Sequence, residues 1–130
     1  MNKKPSECIS EFLNLITEAQ SHYKFCSDEL NKQDKLTQDY LHSLELDDLK
    51  YEERSRLATK LATNRKDRRY YKDRVEELEP IVNFFNDQQN KKMVDKLTQV
   101  LGACRKAESY HKDRKYVPRV LKEKVKGGDE

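Results

Sequence analysis

Residues 57–78, LATKLATNRKDRRYYKDRVEEL, decide the fold. Leu57, Leu61, Asn64, Arg68, Tyr71, Val75 and Leu78 recur at alternating spacings of four and three. That interval keeps them on one side of an α-helix, whereas a strand would scatter them over both faces. The pattern is that of a coiled-coil seam with polar residues at two central positions. Asn64 and Arg68 weaken such a seam but fix its register.

The first eighteen residues of this stretch occur a second time. Residues 97–114 read LTQVLGACRKAESYHKDR, and the two copies align without a gap. They share Leu57/Leu97, Leu61/Leu101, Arg65/Arg105, Lys66/Lys106, Tyr70/Tyr110, Lys72/Lys112, Asp73/Asp113 and Arg74/Arg114. Each is a helical unit with an apolar stripe and a cationic, tyrosine-bearing end. A proline follows each, Pro80 and Pro118.

The rest of the chain extends the helical reading. Cys8, Phe12, Leu15, Ala19, His22 and Cys26 alternate spacings of four and three, and Leu30, Leu36, Tyr40, Leu41 and Leu44 roughly continue the stripe. Ser6 is the expected N-cap of this first helix. SLELDD at 43–48 is a break, and Asp47 or Asp48 would cap a second helix with Glu52 and Glu53 in its first turns. Met93, Leu97, Val100, Cys104, Ala107, His111 and Arg114 give a third stripe. The expected architecture is all-α: a long antiparallel, coiled-coil-like hairpin with an additional N-terminal helix. The expected helices are 6–42, 47–79 and 81–114 in one domain, 1–120, with a disordered polar tail, 121–130. The hairpin turn falls at Pro80, which gives arms of matching length, or at 86–90, NDQQN, where Asn86, Asp87 and Asn90 suit a turn or a cap. With the turn at 86–90 the two basic ends would merge into one patch; with the turn at Pro80 they would lie about 30 Å apart.

Composition narrows the function. Of 130 residues, 39% are charged and only 35% hydrophobic, with three glycines and three prolines, so a few long helices with thin apolar stripes fit better than a sheet. A monomer of that kind buries a modest core, which points to a homo-oligomer, a dimer first, or to a partner. The net charge of +3 is uneven: through Thr63 there are nine basic and twelve acidic residues, and from Asn64 eighteen basic and twelve acidic. The second half is therefore the candidate for contact with something anionic. Three widely spaced cysteines without a C-x-x-C suit reduced thiols in the cytoplasm. MNKKPSEC has no apolar run behind its lysines, and no stretch approaches the roughly 20 apolar residues of a membrane span, so no signal peptide and no membrane partner are expected.

The candidate binding residues follow from the repeat. They are Arg65, Lys66, Arg68, Arg69, Tyr70, Lys72 and Arg74 in the first copy, and Arg105, Lys106, Tyr110, Lys112 and Arg114 in the second, with Tyr116 and Arg119 beyond it. Arginine forks phosphate or carboxylate, and tyrosine anchors protein interfaces or stacks on bases. Interleaved Asp67, Asp73, Glu76 and Glu77 neutralise part of the cluster through i,i+4 pairs. His22 and Cys26, four apart, lack a second ligand pair for zinc. No phosphate-cradling glycine loop, G-x-S-x-G or paired catalytic carboxylate is present, so neither an enzyme nor a cofactor is expected.

The run Arg65, Lys66, Arg68, Arg69, Lys72 and Asp73, followed by Leu78-Glu79-Pro80 and closed by Arg114, Tyr116, Pro118 and Arg119, resembles small helical proteins encoded by phages and prophages of Gram-positive bacteria. The resemblance covers roughly residues 45–120 and leaves out the first helix. That group has no assigned activity, so the resemblance implies a setting, the bacterial host cell, and no chemistry. The resulting expectation is a non-catalytic helical interaction protein. It would bind a host or phage protein and inhibit a defence or nucleic-acid-processing complex by occupying its surface. The alternative is a nucleic-acid-binding module that uses both repeats as phosphate clamps. A third reading is a homo-oligomeric scaffold whose assembly Asn64 and Arg68 govern.

Overall fold

The computed structural model describes residues 2–121 and consists, within them, of three α-helices: α1 Pro5–Leu46, α2 Tyr51–Asn86 and α3 Gln88–Lys112. The all-α fold and the antiparallel hairpin expected from sequence are present. The arms of the hairpin are α1 and α2, so the additional helix is the C-terminal α3 and not the N-terminal one. The expected tail lies, from residue 122, outside the described residues.

The 42-residue α1 begins at Pro5, whose fixed φ suits the first helical position. This displaces the expected cap. Lys4 occupies the N-cap position and gives no side-chain bond, while Ser6 lies inside the first turn and is buried. Asp47 closes α1, donating its backbone N–H to the Ser43 carbonyl (3.1 Å) and accepting from the Ser43 hydroxyl (2.7 Å). α2 then starts behind Lys50, with Glu52 and Glu53 in its first turn as expected.

α2 runs straight through Pro80, correcting the expected end at residue 79. Pro80 is exposed, so the carbonyl that loses its donor can take water instead. Breaking there would release Val82 and Phe85 from α1, and Val82 is one of the few buried apolar side chains among the described residues. The break comes at Asp87, within the alternative 86–90 turn. Asp87 Oδ1 accepts from the Gln89 backbone N–H (2.9 Å), and Asn90 Nδ2 donates back to the Phe84 carbonyl (2.7 Å). One residue thus stops α2 and caps α3.

The hairpin interface follows the stripe read from sequence. Leu57, Leu61, Asn64, Arg68, Tyr71, Val75 and Leu78 all turn inward, and Val82 and Phe85 extend the series to the end of α2. The partner residues on α1 differ from the expected set. Ala19, Cys26, Leu30 and Tyr40 face inward, but Cys8, Phe12, Leu15 and His22 stay exposed, and Ile9, Leu13 and Ile16 take the inner positions at the start of the helix. The reason is that the first half of α1 serves two neighbours, α2 and α3, and its buried face rotates to meet both.

Polar groups fill the middle of the interface. Asn64, 4% exposed, donates from Nδ2 to the Gln33 carbonyl (3.0 Å) and to Gln33 Oε1 (2.8 Å), and accepts the Thr37 hydroxyl at Oδ1 (2.7 Å). Four residues on, Arg68 Nε donates to Asp34 Oδ1. Both polar seam residues are therefore satisfied by α1 of the same chain.

α3 lies over the first half of α1. Leu13, Ile16, Thr17 and Gln20 of α1, Phe85 of α2, and Lys91, Val94, Asp95 and Thr98 of α3 line a shallow groove of about 380 Å3 where the three helices meet. At the far end Glu108 receives the Ser6 hydroxyl (2.6 Å) and the Ser6 backbone N–H (3.4 Å). α3 thereby supplies the cap that the start of α1 lacks. Its inner residues are Asn90, Val94, Leu97, Leu101, Cys104 and Glu108, so of the expected stripe only Leu97 and Cys104 turn in; Met93, Val100, Ala107 and His111 remain exposed.

Candidate partner-binding surface

The two repeat copies adopt the same register. Leu57/Leu97, Leu61/Leu101, Asn64/Cys104 and Arg68/Glu108 all point to the interior. This leaves Arg65/Arg105, Lys66/Lys106 and Tyr70/Tyr110 exposed in both. The likeness reaches side-chain conformation. The Arg74 guanidinium lies over the Tyr70 ring at 5.5 Å from its centre, and Arg114 lies over Tyr110 at 5.9 Å. Each copy presents a tyrosine, 54% and 65% exposed, with a guanidinium held against its face. Such cation–π pairs contribute roughly 0.5–1 kcal/mol at exposed sites, enough to bias the rotamers of both side chains.

The surroundings of the two pairs differ. Tyr70 packs edge-on against Tyr71 (5.3 Å between centres), and Tyr71 against Phe25 of α1 (6.2 Å). Arg74 donates from Nη2 to Glu77 (2.6 Å), and its Nε is buried with no hydrogen-bond partner. Beneath lies Cys26, fully buried, 3.6 Å from His22 Nε2. Burial pushes the Cys26 thiol up from its ordinary value; the nearby Arg74 charge opposes this and Glu29 adds to it. Tyr71 is likewise raised, by burial first and then by Glu29 and Asp67. His22 and Cys26 thus meet, but among the described residues no group of three or more His, Cys, Asp or Glu side chains could hold a metal ion. The second pair is more open: among the described residues Tyr110 meets only His111 as an aromatic neighbour, and Tyr116 and Arg119 follow it in exposed chain.

The other candidates divide by position. Arg65, Lys66, Arg69, Arg105, Lys106, Lys112 and Arg114 are exposed. Lys72 reaches Glu76 at 4.0 Å, a surface pair of small energetic weight. Arg68 is half-buried and engaged by Asp34, so it holds α2 on α1 and offers little to a partner. Sequence reasoning missed Phe25, which supports the first tyrosine from another helix; its separation of 45 residues from Tyr70 gave no local signal.

The two basic ends do not merge. The first stands beside Phe25 of α1, and the second begins just past the Glu108–Ser6 contact. Nineteen residues of helix separate Ser6 from Phe25, so the Tyr–Arg pairs are about 30 Å apart along α1. Among the described residues no helix is long and apolar enough to cross a membrane. Comparison with protein-family models, with curated proteins and with solved structures gives no match for this chain.

Proposed function

We propose that this chain is a non-catalytic helical interaction protein that binds a partner protein by occupying its surface. The observation that carries the reading is the pair of exposed Tyr–Arg elements at matched repeat positions. Tyrosine and arginine, with tryptophan, are the side chains enriched among the few that dominate protein interfaces, and this chain has no tryptophan. Basic flanks at Arg65, Lys66 and Arg69 and at Arg105 and Lys106 favour an acidic partner surface. The resemblance to phage and prophage proteins supplies the setting: a host or phage protein inside the bacterial cell, with a defence or nucleic-acid-processing complex as the target to be inhibited.

The test is a crosslinked pull-down from host lysate with the full chain. Tyr70→Ala and Tyr110→Ala should each abolish capture of the same protein, because two linked contacts exceed either alone by about 10²–10⁴ in avidity. No specific partner, or one that both variants retain, would end this reading.

The same exposed pairs also favour a second reading, direct nucleic-acid binding, with tyrosine stacking on bases and arginine on phosphates. Fluorescence anisotropy with single- and double-stranded DNA and RNA separates the two. Phosphate contact requires log affinity to fall linearly with log salt, and weaker binding to all sequences once Arg65 and Arg69 are replaced.

A further inference from the structure

The two ends of the molecule carry opposite charge. The turn between α1 and α2 is acidic: residues 45–53 hold Glu45, Asp47, Asp48, Glu52 and Glu53 against Lys50 alone, a net charge of −4. From Arg105 to Arg119 the chain holds Arg105, Lys106, Lys112, Arg114, Lys115 and Arg119 against Glu108 and Asp113, a net charge of +4. All of these side chains are exposed except Glu108, which is half-buried and bonded to Ser6. The ion pairs among the described residues use none of them. Each end also exposes large apolar groups: Leu46 (75%) and Tyr51 (84%) at the turn, and Tyr116 (79%) and Val117 (78%) at the basic end.

We propose that the acidic turn of one copy of this chain docks on the basic end of a second copy. Charge complementarity names the occupant, and distance places it in another molecule. The bond from Ser6 to Glu108 sets the basic end at the start of α1, whereas the acidic turn lies beyond its last residue, about 60 Å away along the 42-residue helix. The eleven residues from Glu108 to Arg119 reach at most about 40 Å when fully extended, so the two ends cannot meet within one chain. Opposite charge orients the contact, and Leu46, Tyr51, Tyr116 and Val117 supply apolar area for it to bury. The surfaces joined are unlike, so the assembly is heterologous and each added copy offers a fresh turn to the next.

The proposal rests on the reading of the second basic end as a surface for an acidic protein, and makes another copy of this chain one such protein. The Tyr70–Arg74 element takes no part. A partner with an acidic surface competes with the second copy for that end.

Sedimentation equilibrium of the purified full chain tests the contact. In about 0.1 M salt the average mass should rise above 15.5 kDa as concentration approaches about 1 mM. It should fall back toward 15.5 kDa in about 1 M salt, where the screening length shrinks from about 10 Å to about 3 Å. Glu45→Lys, Asp48→Lys and Glu53→Lys together reverse the turn. Lys112→Glu, Lys115→Glu and Arg119→Glu reverse the basic end and leave Tyr110 and Arg114 in place. Each triple variant should be monomeric with helical circular dichroism unchanged. The chain with all six substitutions keeps the net charge of +3 but has both ends reversed, so it should associate again. A parent chain that stays monomeric, triple variants that associate as the parent does, or a sixfold variant that stays monomeric would overturn the proposal. Capture of a partner from lysate by a chain that does not self-associate would refute the self-contact alone; self-association without capture would refute the partner reading alone.

Discussion

Replacing Asn64 with alanine should be among the most damaging single changes in the hairpin, although the residue is polar and carries no charge. Three hydrogen bonds meet on its amide: two donated to Gln33 and one accepted from Thr37. Their loss is unequal. Thr37 keeps the Gln33 carbonyl as an acceptor at 3.0 Å, so its hydroxyl stays satisfied. Among the described residues Gln33 Oε1 has no second donor, and leaving such a group buried costs about 1–3 kcal/mol. Lost packing adds about 1 kcal/mol, for a total near 3 kcal/mol. With a urea dependence of about 1.5–2 kcal/mol per M, the unfolding midpoint should fall by about 1.5–2 M. Removing both partners, as Gln33→Leu with Asn64→Leu, should recover most of that loss, because paired polar groups are often replaceable by apolar ones of similar volume. A midpoint shift under about 0.5 M for Asn64→Ala, or a double variant worse than the sum of its singles, would refute the network as the reason for the cost.

Two further outcomes follow from the same packing. The neutral forms of Cys26 and Tyr71 are the buried ones, so the stability tied to them is complete below the ordinary values of 9.0 and 10.0 and is lost as pH rises through the raised folded-state values. Melting temperature should drop as pH rises above 9, and less so in Cys26→Ala; equal slopes in the two chains would remove Cys26 from the account. Pro80→Ala restores a donor to the Glu76 carbonyl inside α2 and should raise stability by about 1–3 kcal/mol in thermal melts; a loss instead would mean that the proline ring itself helps to seat Phe85 on Phe12.

Which parts of this fold could be read from sequence depends on what each helix must satisfy. α2 meets one partner along its length, and its whole inner stripe, Leu57 to Leu78, was legible from spacing alone. α1 meets two partners, so hydropathy offered two overlapping apolar sets and the outer one was chosen at its N-terminal end. α3 illustrates a different limit. Its inner positions Leu101 and Glu108 are those that the repeat aligns with Leu61 and Arg68, yet apolar periodicity preferred Met93 and Val100. Buried Ser6, Gln33 and Thr37 escaped notice because their burial depends on partners up to 102 residues away. The pairing of helices escaped for a related reason: both candidate turns suit a chain reversal, and α1 is the mate of α2 through long-range matches such as Gln33 and Thr37 to Asn64 and Asp34 to Arg68. Of the candidate site, the repeat and its exposed tyrosines were visible; the separation of its two ends was not, since it depends on where α3 docks.

The position shared by Arg68 and Glu108 has a consequence for how the chain finds its topology. Two segments of similar sequence compete for the same long helix, and an exchange of places would be an error that apolar stripes alone cannot prevent. Opposite charge at one equivalent position labels each segment. Arg68 matches the carboxylate of Asp34, whereas Glu108 matches the free amide and positive dipole end at the start of α1, 28 residues away. In the exchanged arrangement Glu108 would confront Asp34 and Arg68 would sit on that positive end, both repulsive. A single sign change thus serves as an address, directing near-duplicate helices to distinct berths on one track.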